Sequence, residues 1–392
     1  MDDVTTNMRT HFRVLGSRAK GLRKERILAS PQYRDGAFRN THRVKPGIQG
    51  HRKELLGEWL RGGSIRRPPG PLPIADPREA WLKRPQDGLR LTWLGHSTVL
   101  LEMDGVRILT DPVFGSRASP FPVGGPLRYH PVPVRLEELG HLDAVLISHD
   151  HYDHLCMPTV TALARRGVPF VTALGVGAHL EVFGVEPRNI QELDWWEEAW
   201  VGDGRVRLTA TPAQHFSGRT FGDRNQTLWA SWALRSERHH VFFSGDTGLT
   251  EEYREIGQRL DRFDVVMLEI GAFHPAWGGI HLGPHNAMKA HALLGSGQLM
   301  PIHWGTFTLG THAWDEPAET LLSLARERST PLLTPRLGRP IEPGLRPRVD
   351  PWWREVGAQA PAELPPTSQL EAPAELPATS QLEGLPAPEA SS

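Results

Sequence analysis

The stretch HLDAVLISHDHYDHL, residues 141–155, decides the fold. Its first half is an apolar run closing at Ser148, the pattern of a buried strand. Directly after it come His149, His151, Asp153 and His154, all within six positions. In extended chain, residues i and i+2 point to the same side, so His149 and His151 can converge on one ion. As the chain turns toward the next helix, Asp153 and His154 can face a neighbouring ion. Imidazole nitrogens together with a carboxylate suit zinc, iron or manganese. Four ligands in one loop do not complete two metal sites, so the others are expected at strand exits elsewhere. His215 in PAQHFSGR (212–219), Asp246 in SGDTG (244–248) and His303 in PIHWG (301–305) all sit at such exits. Side chains at one set of strand ends converge on one rim, where sites are commonly built.

Around this segment, residues 89–345 read as mixed α/β. LRLTWLG (89–95), TVLLEM (98–103) and VRILTD (106–111) are strand-like, and VPFVTAL (168–174) follows a helix over 157–166. WEEAWV (196–201) and RVRLTATPA (205–213) flank Gly202-Asp203-Gly204, a hairpin signal; TLWASWAL (227–234) and HHVFFSG (239–245) form a second. Helical patterns at 250–260, 285–295 and 315–327 alternate with strands at 263–270 and 298–304. Hairpins mixed with strand–helix alternation predict two sheets faced by helices rather than a doubly wound parallel sheet.

The chain has 392 residues, 44 basic and 45 acidic side chains and a net charge of −1. That balance offers no field to gather nucleic acid. No apolar run of about 18 residues suggests a membrane span, and the opening residues lack the apolar middle of a secretory signal, so a cytoplasmic location is expected. The single cysteine, Cys156, forms no internal disulfide, and four-cysteine zinc sites are excluded. Residues 1–88 are expected to be an extension wrapping the core. Within it, positions 1–55 carry 13 Lys or Arg against 5 Asp or Glu, which reads as a solvated, partly ordered arm or as a peripheral patch for anionic lipid or phosphorylated substrate. The 346–392 tail holds a twelve-residue repeat, APAELPPTSQLE then APAELPATSQLE, and is expected to be disordered.

The order His-x-His-x-Asp-His, distant His, Asp, final His resembles the metallo-β-lactamase superfamily. TWLGHSTVLLE (92–102), DPVF (111–114), SHDHYDHL, PAQHFSGR, GDTG (245–248) and IHWGTF (302–307) are similar to the branch holding N-acyl-phosphatidylethanolamine phospholipase D and L-ascorbate-6-phosphate lactonases. FRNTH (38–42) resembles a Phe-x-Asn element of the phospholipase subgroup, with Thr41 where that subgroup usually has Pro. The resemblance implies a four-layer αβ/βα sandwich. It assigns His149, His151 and His215 to one divalent ion, zinc foremost, and Asp153, His154 and His303 to a second. Asp246 would bridge the two.

Such a pair would lower the pKa of a shared water and polarise the scissile bond. The implied activity is that of a hydrolase, foremost a phosphodiesterase on a phospholipid-like ester; the alternative is a lactonase, and a non-catalytic metal protein comes last. Asp153 and His281 are the catalytic candidates, His281 as proton donor or phosphoryl contact. His285 and His96 are candidates for support of the ligands, and Asp111 for ordering the loop beneath them. Arg219 is a candidate for a substrate phosphate or a surface ion pair, and Trp304 with the aromatics of 273–277 for an acyl wall or plain packing.

Overall fold

The computed structural model describes residues 13–44, 52–61, 63–121, 123–295 and 297–357. Of the 346–392 tail expected to be disordered, the repeat-bearing part lies outside the described residues, whereas 346–357 is ordered, because Trp352 and Trp353 are buried in the core.

An N-terminal arm contains helix α1 (Gly21–Ala29), a small hairpin of β1 (Tyr33–Arg34) and β2 (Ala37–Phe38), helix α2 (Arg52–Arg61) and the short α3 (Arg78–Trp81). Two sheets follow. The first takes β3 (Leu89–Gly95), β4 (Thr98–Met103), β5 (Val106–Thr110), β6 (Ala144–Ile147), β7 (Phe170–Ala173) and β8 (Ile190–Leu193), with β15 (Pro340–Ile341) beside β3. The second takes β9 (Glu198–Val201), β10 (Val206–Thr211), β11 (Ser231–Arg235), β12 (His240–Phe243), β13 (Val265–Glu269) and β14 (Gln298–Ile302), hydrogen-bonded in that order. In each sheet an antiparallel meander gives way to parallel strands fed by helices, so both the hairpins and the strand–helix units of the sequence find a place.

Side-chain alternation explains the layers. Leu91, Trp93, Val99, Leu101, Ile108 and Leu146 belong to the core shared with the second sheet. Their sequence neighbours Leu94, Leu100, Leu109, Val145 and Ile147 face the other way, against Val160 and Leu163 of α4 (Met157–Arg165) and Leu180 of α5 (Gly177–Val182). A period of two thus feeds two apolar layers from one set of strands. On the second sheet, α6 (Glu252–Leu260), α7 (Gly283–Leu293) and α8 (Glu316–Glu327) contribute Ile256, Met288 and Leu321 to the core. The result is a helix–sheet–sheet–helix sandwich. Trp304 is part of its packing: it stacks on Trp93 and Trp352, with ring centroids 5.5 and 5.4 Å apart.

The described part of the arm keeps most of its cations exposed but is anchored at several points. Ile27 and Phe38 are buried, Arg23 pairs with Glu181 and Glu192, and Arg26 pairs with Glu197. Carboxylates over 150 positions away in the chain therefore meet these cations, a pairing that local charge counting misses.

Candidate metal centre

Every sequence-predicted ligand follows a strand that ends on one edge of the sandwich. The 149–154 loop leaves β6, His215 lies beyond β10, Asp246 beyond β12, and His303 directly after β14. Local backbone supports the convergence. Residues 151–155 make a helical turn, with the Leu155 N–H donating to the His151 carbonyl at 2.8 Å. Gly245 (φ 55°) lets the chain turn tightly before Asp246; a Cβ there would meet the Ser148 side chain at 2.5 Å. His303 itself holds φ 61°, an uncommon conformation for a non-glycine residue and a form of strain that clusters at functional sites.

The first cluster joins His149, His151, His215 and Asp246, whose nearest side-chain donor atoms all lie within 4.8 Å of one another. His151 Nδ1 stands 2.9 Å from His149 Nε2 and 3.2 Å from His215 Nε2. Asp246 Oδ2 is 3.9 and 3.8 Å from those two Nε2 atoms. Tetrahedral ligands about 2.0–2.1 Å from zinc stand about 3.3 Å apart, so this spacing fits one shared ion. The second cluster joins His96, Asp153, His154 and His303. Asp153 Oδ2 lies 3.4 Å from His154 Nε2 and 3.3 Å from His303 Nε2. Asp246 turns its other oxygen here, 3.1 Å from each of those nitrogens. Its carboxylate faces both clusters. All seven residues expected from sequence are thus brought together.

The donor chemistry fits divalent cations. His154 Nε2 and Asp246 Oδ1 are fully buried and stand 3.1 Å apart, yet neither makes a well-formed hydrogen bond. Buried polar atoms left unsatisfied are costly, and a shared cation would satisfy both. Burial, with repulsion among neighbouring rings, holds His149 well below the usual imidazole pKa, which keeps it in the neutral, ligating form. At His154 burial acts in the same sense, but the Asp246 and Asp153 carboxylates outweigh it and raise the pKa. Cations there would therefore compete with a proton.

The far sides of the rings are tied down. Asp111 accepts from the Ser148 N–H at 2.7 Å and from its hydroxyl at 2.6 Å, and meets His154 Nδ1 at 2.7 Å. Ser148 Oγ in turn lies 2.9 Å from His149 Nδ1, and His215 Nδ1 lies 3.0 Å from the Ile280 carbonyl. Such partners fix ring orientation and tautomer. His96 Nε2 stands 3.0 Å from Asp153 Oδ2, inside the second cluster.

His281 borders the clusters, 5.2 Å from His215 and 5.5 Å from His303 between ring centroids. Its Nδ1 is 2.8 Å from Glu269 Oε2. Sequence reasoning missed Glu269, a fully buried carboxylate at the last position of β13. An acidic residue closing an otherwise apolar strand was the available signal. Glu269 also accepts the Thr247 N–H at 2.7 Å, directly beside Asp246. Burial opposes a charge on His281, but the Glu269 carboxylate outweighs it and raises the ring's pKa. His285, by contrast, is exposed on α7.

Arg219 corrects both sequence readings. It is neither a phosphate contact nor a surface ion pair, since it is buried and donates to the carbonyls of Asp150, Leu155 and Val14. Its guanidinium lies 4.0 Å above the Tyr152 ring. Asp150, the unassigned member of the histidine loop, is likewise inward, accepting the Gly218 N–H and the Thr227 hydroxyl, both at 2.8 Å.

A cavity of about 320 Å³ opens over the clusters. Asp153, Asp246, His215, His281 and His303 form its polar side, while Phe216, Trp277, Ile280 and Leu309 form the apolar side.

A β-lactamase superfamily domain matches residues 106–304, about half of the chain. The chain belongs to the β-lactamase superfamily. An uncharacterized protein of Mycobacterium tuberculosis is 45% identical over 331 residues, covering 83% of this chain and 88% of the relative. The N-acyl-phosphatidylethanolamine-hydrolyzing phospholipase D 1 of Caenorhabditis elegans is 37% identical over 268 residues, covering 64% of this chain and 75% of that one. Among solved structures, the isothiocyanate hydrolase from Delia radicum gut bacteria shares the fold at a TM-score of 0.52 and 21% identity, over 64% of this chain and 98% of its own. Membership of the superfamily makes the protein a metal-dependent hydrolase with the metallo-β-lactamase fold, a fold that implies divalent metal ions.

Proposed function

We propose that the protein is a phosphodiesterase of the N-acyl-phosphatidylethanolamine phospholipase D type, working with two divalent ions, zinc foremost. His149, His151 and His215 would hold one ion, Asp153, His154 and His303 would hold the other, and Asp246 would serve both. The observation that carries this reading is the shared position of Asp246, with one oxygen toward each histidine cluster, at the floor of a half-apolar cavity. The 37% identity to the nematode phospholipase supports the substrate class. Ions bound there supply Lewis acidity that activates water and polarises the scissile bond.

The protein's own groups do the rest. Asp153 lines the cavity and keeps His96 Nε2 at 3.0 Å from its carboxylate. Glu269 fixes the Nδ1 proton of His281 and leaves its Nε2 free for a leaving-group oxygen, the arrangement of a general acid. Phe216, Trp277, Ile280 and Leu309 give an acyl-bearing substrate an apolar surface. Contact with a lipid surface fits the exposed Leu56 and Leu60 of α2 better than the internally paired arginines of α1. Glu58 of α2 binds His274 at 3.1 Å and Thr311 at 2.7 Å, which sets the helix beside the cavity loops. Among the described residues, no helix is long and apolar enough to cross a membrane.

The test is turnover on N-acyl-phosphatidylethanolamine, a simple phosphodiester and an acyl-homoserine lactone, together with elemental analysis. The expected result is two metal equivalents and preference for the phospholipid; preference for the lactone would move the function to ring opening. His281→Ala should lower turnover about a hundredfold, the usual scale of one general acid, with metal content unchanged. Wild-type rates in that variant would remove His281 from the chemistry.

A further inference from the structure

The Phe-x-Asn element of the arm has a partner that its sequence does not reveal. Asn40 donates its side-chain N–H to the His215 carbonyl at 2.8 Å, and its Oδ1 accepts the His215 N–H at 3.0 Å. The same oxygen accepts the Trp229 indole N–H at 3.1 Å. A primary amide presents donor and acceptor as a peptide unit does, so Asn40 pairs with His215 as a neighbouring strand would.

His215 needs such a neighbour. It lies four residues beyond the last residue of β10, inside the irregular 212–230 segment, where no sheet ladder reaches it. Asp246 and His303 lie within three residues of their strands, and His154 belongs to a helical turn. Among the seven candidate ligands, His215 is the one whose backbone N–H and carbonyl are both held by a single side chain of another element; the His303 N–H is held by the His96 carbonyl at 3.1 Å. Two further tethers run from the arm to the same end of the sandwich: the Val14 carbonyl accepts from Arg219, and the Ser17 N–H donates to His179 Nδ1 at 3.0 Å.

We infer that Asn40 is a positioning residue for the first metal cluster, setting its affinity through the backbone of His215 while leaving the second cluster alone. This rests on the two-ion reading above. It makes the N-terminal arm a working part of the site, although Asn40 is not among the residues that line the cavity.

The test is a stepwise Co²⁺ titration of metal-stripped full-length protein, read by the visible spectrum and by equilibrium dialysis. Wild type should take up two equivalents. Asn40→Ala should bind one equivalent as wild type does and the other about 10–100-fold more weakly, the usual cost of losing a group that orients a ligand. Asn40→Asp keeps the acceptor but loses the donor, so it should fall between the two. Thr41→Ala, at the exposed neighbouring position, should match wild type. Should Asn40→Ala fail to fold, the graded response of Asn40→Asp still decides. Two unchanged equivalents in both Asn40 variants, or equal weakening of both equivalents, overturns the inference alone, since a merely structural role loosens both clusters. Fewer than two equivalents in wild type overturns the two-ion reading and this inference with it.

Discussion

Asp246→Ala is expected to lower turnover at least about a thousandfold, equivalent to about 4 kcal/mol in the barrier, and to strip metal from both clusters. Both effects follow from one carboxylate having an oxygen in each ligand set. Removing a residue that only orients a ligand costs about 10–100-fold in metal affinity; on the two-ion reading Asp246 would itself be a donor to each set, so its loss should exceed that range. The same substitution removes the charge that counters burial at His303, whose pKa is held at about 10 by Asp246 and Asp153. Elemental analysis and initial rates on a shared preparation check the claim. A variant with full metal content and rates within tenfold of wild type would show that Asp246 bridges nothing.

The second large effect concerns stability. Arg219→Ala should destabilise the metal-free protein by about 3–5 kcal/mol in denaturant unfolding. The carbonyls of Val14, Asp150 and Leu155 lose their donor, and each buried unsatisfied group costs about 1–3 kcal/mol. Were Arg219 a substrate contact, the unfolding midpoint would hold and KM would rise instead.

Arg219 also shows where sequence reading stops. Its place beside His215 suggested anion binding, but its acceptors are backbone carbonyls at positions 14, 150 and 155, which carry no side-chain signature. The seven converging residues were legible because His149 to His154 crowd one strand exit and the remaining three each follow an apolar strand. The two hairpins were legible for a similar reason, since Gly202-Asp203-Gly204 marks its turn directly. Glu269 escaped because one acid at a strand end is common and its partner His281 lies on a separate loop. The strand Ile190–Leu193 escaped because IQEL has too few apolar residues to show a period. The anchoring of the arm through Arg23 and Arg26 escaped because their carboxylates come near only in the folded chain.

The 149–154 loop follows β6 of one sheet, whereas His215, Asp246 and His303 follow strands of the other. Cations seated among them would rivet the two halves of the sandwich across their seam. Loading then becomes a mechanical property as much as a chemical one. At a hundred times the dissociation constant, one such rivet adds about 2.7 kcal/mol against unfolding. Chelation should accordingly lower the melting temperature and raise proteolysis along that seam, and an unchanged melting curve would mean the halves hold together without them.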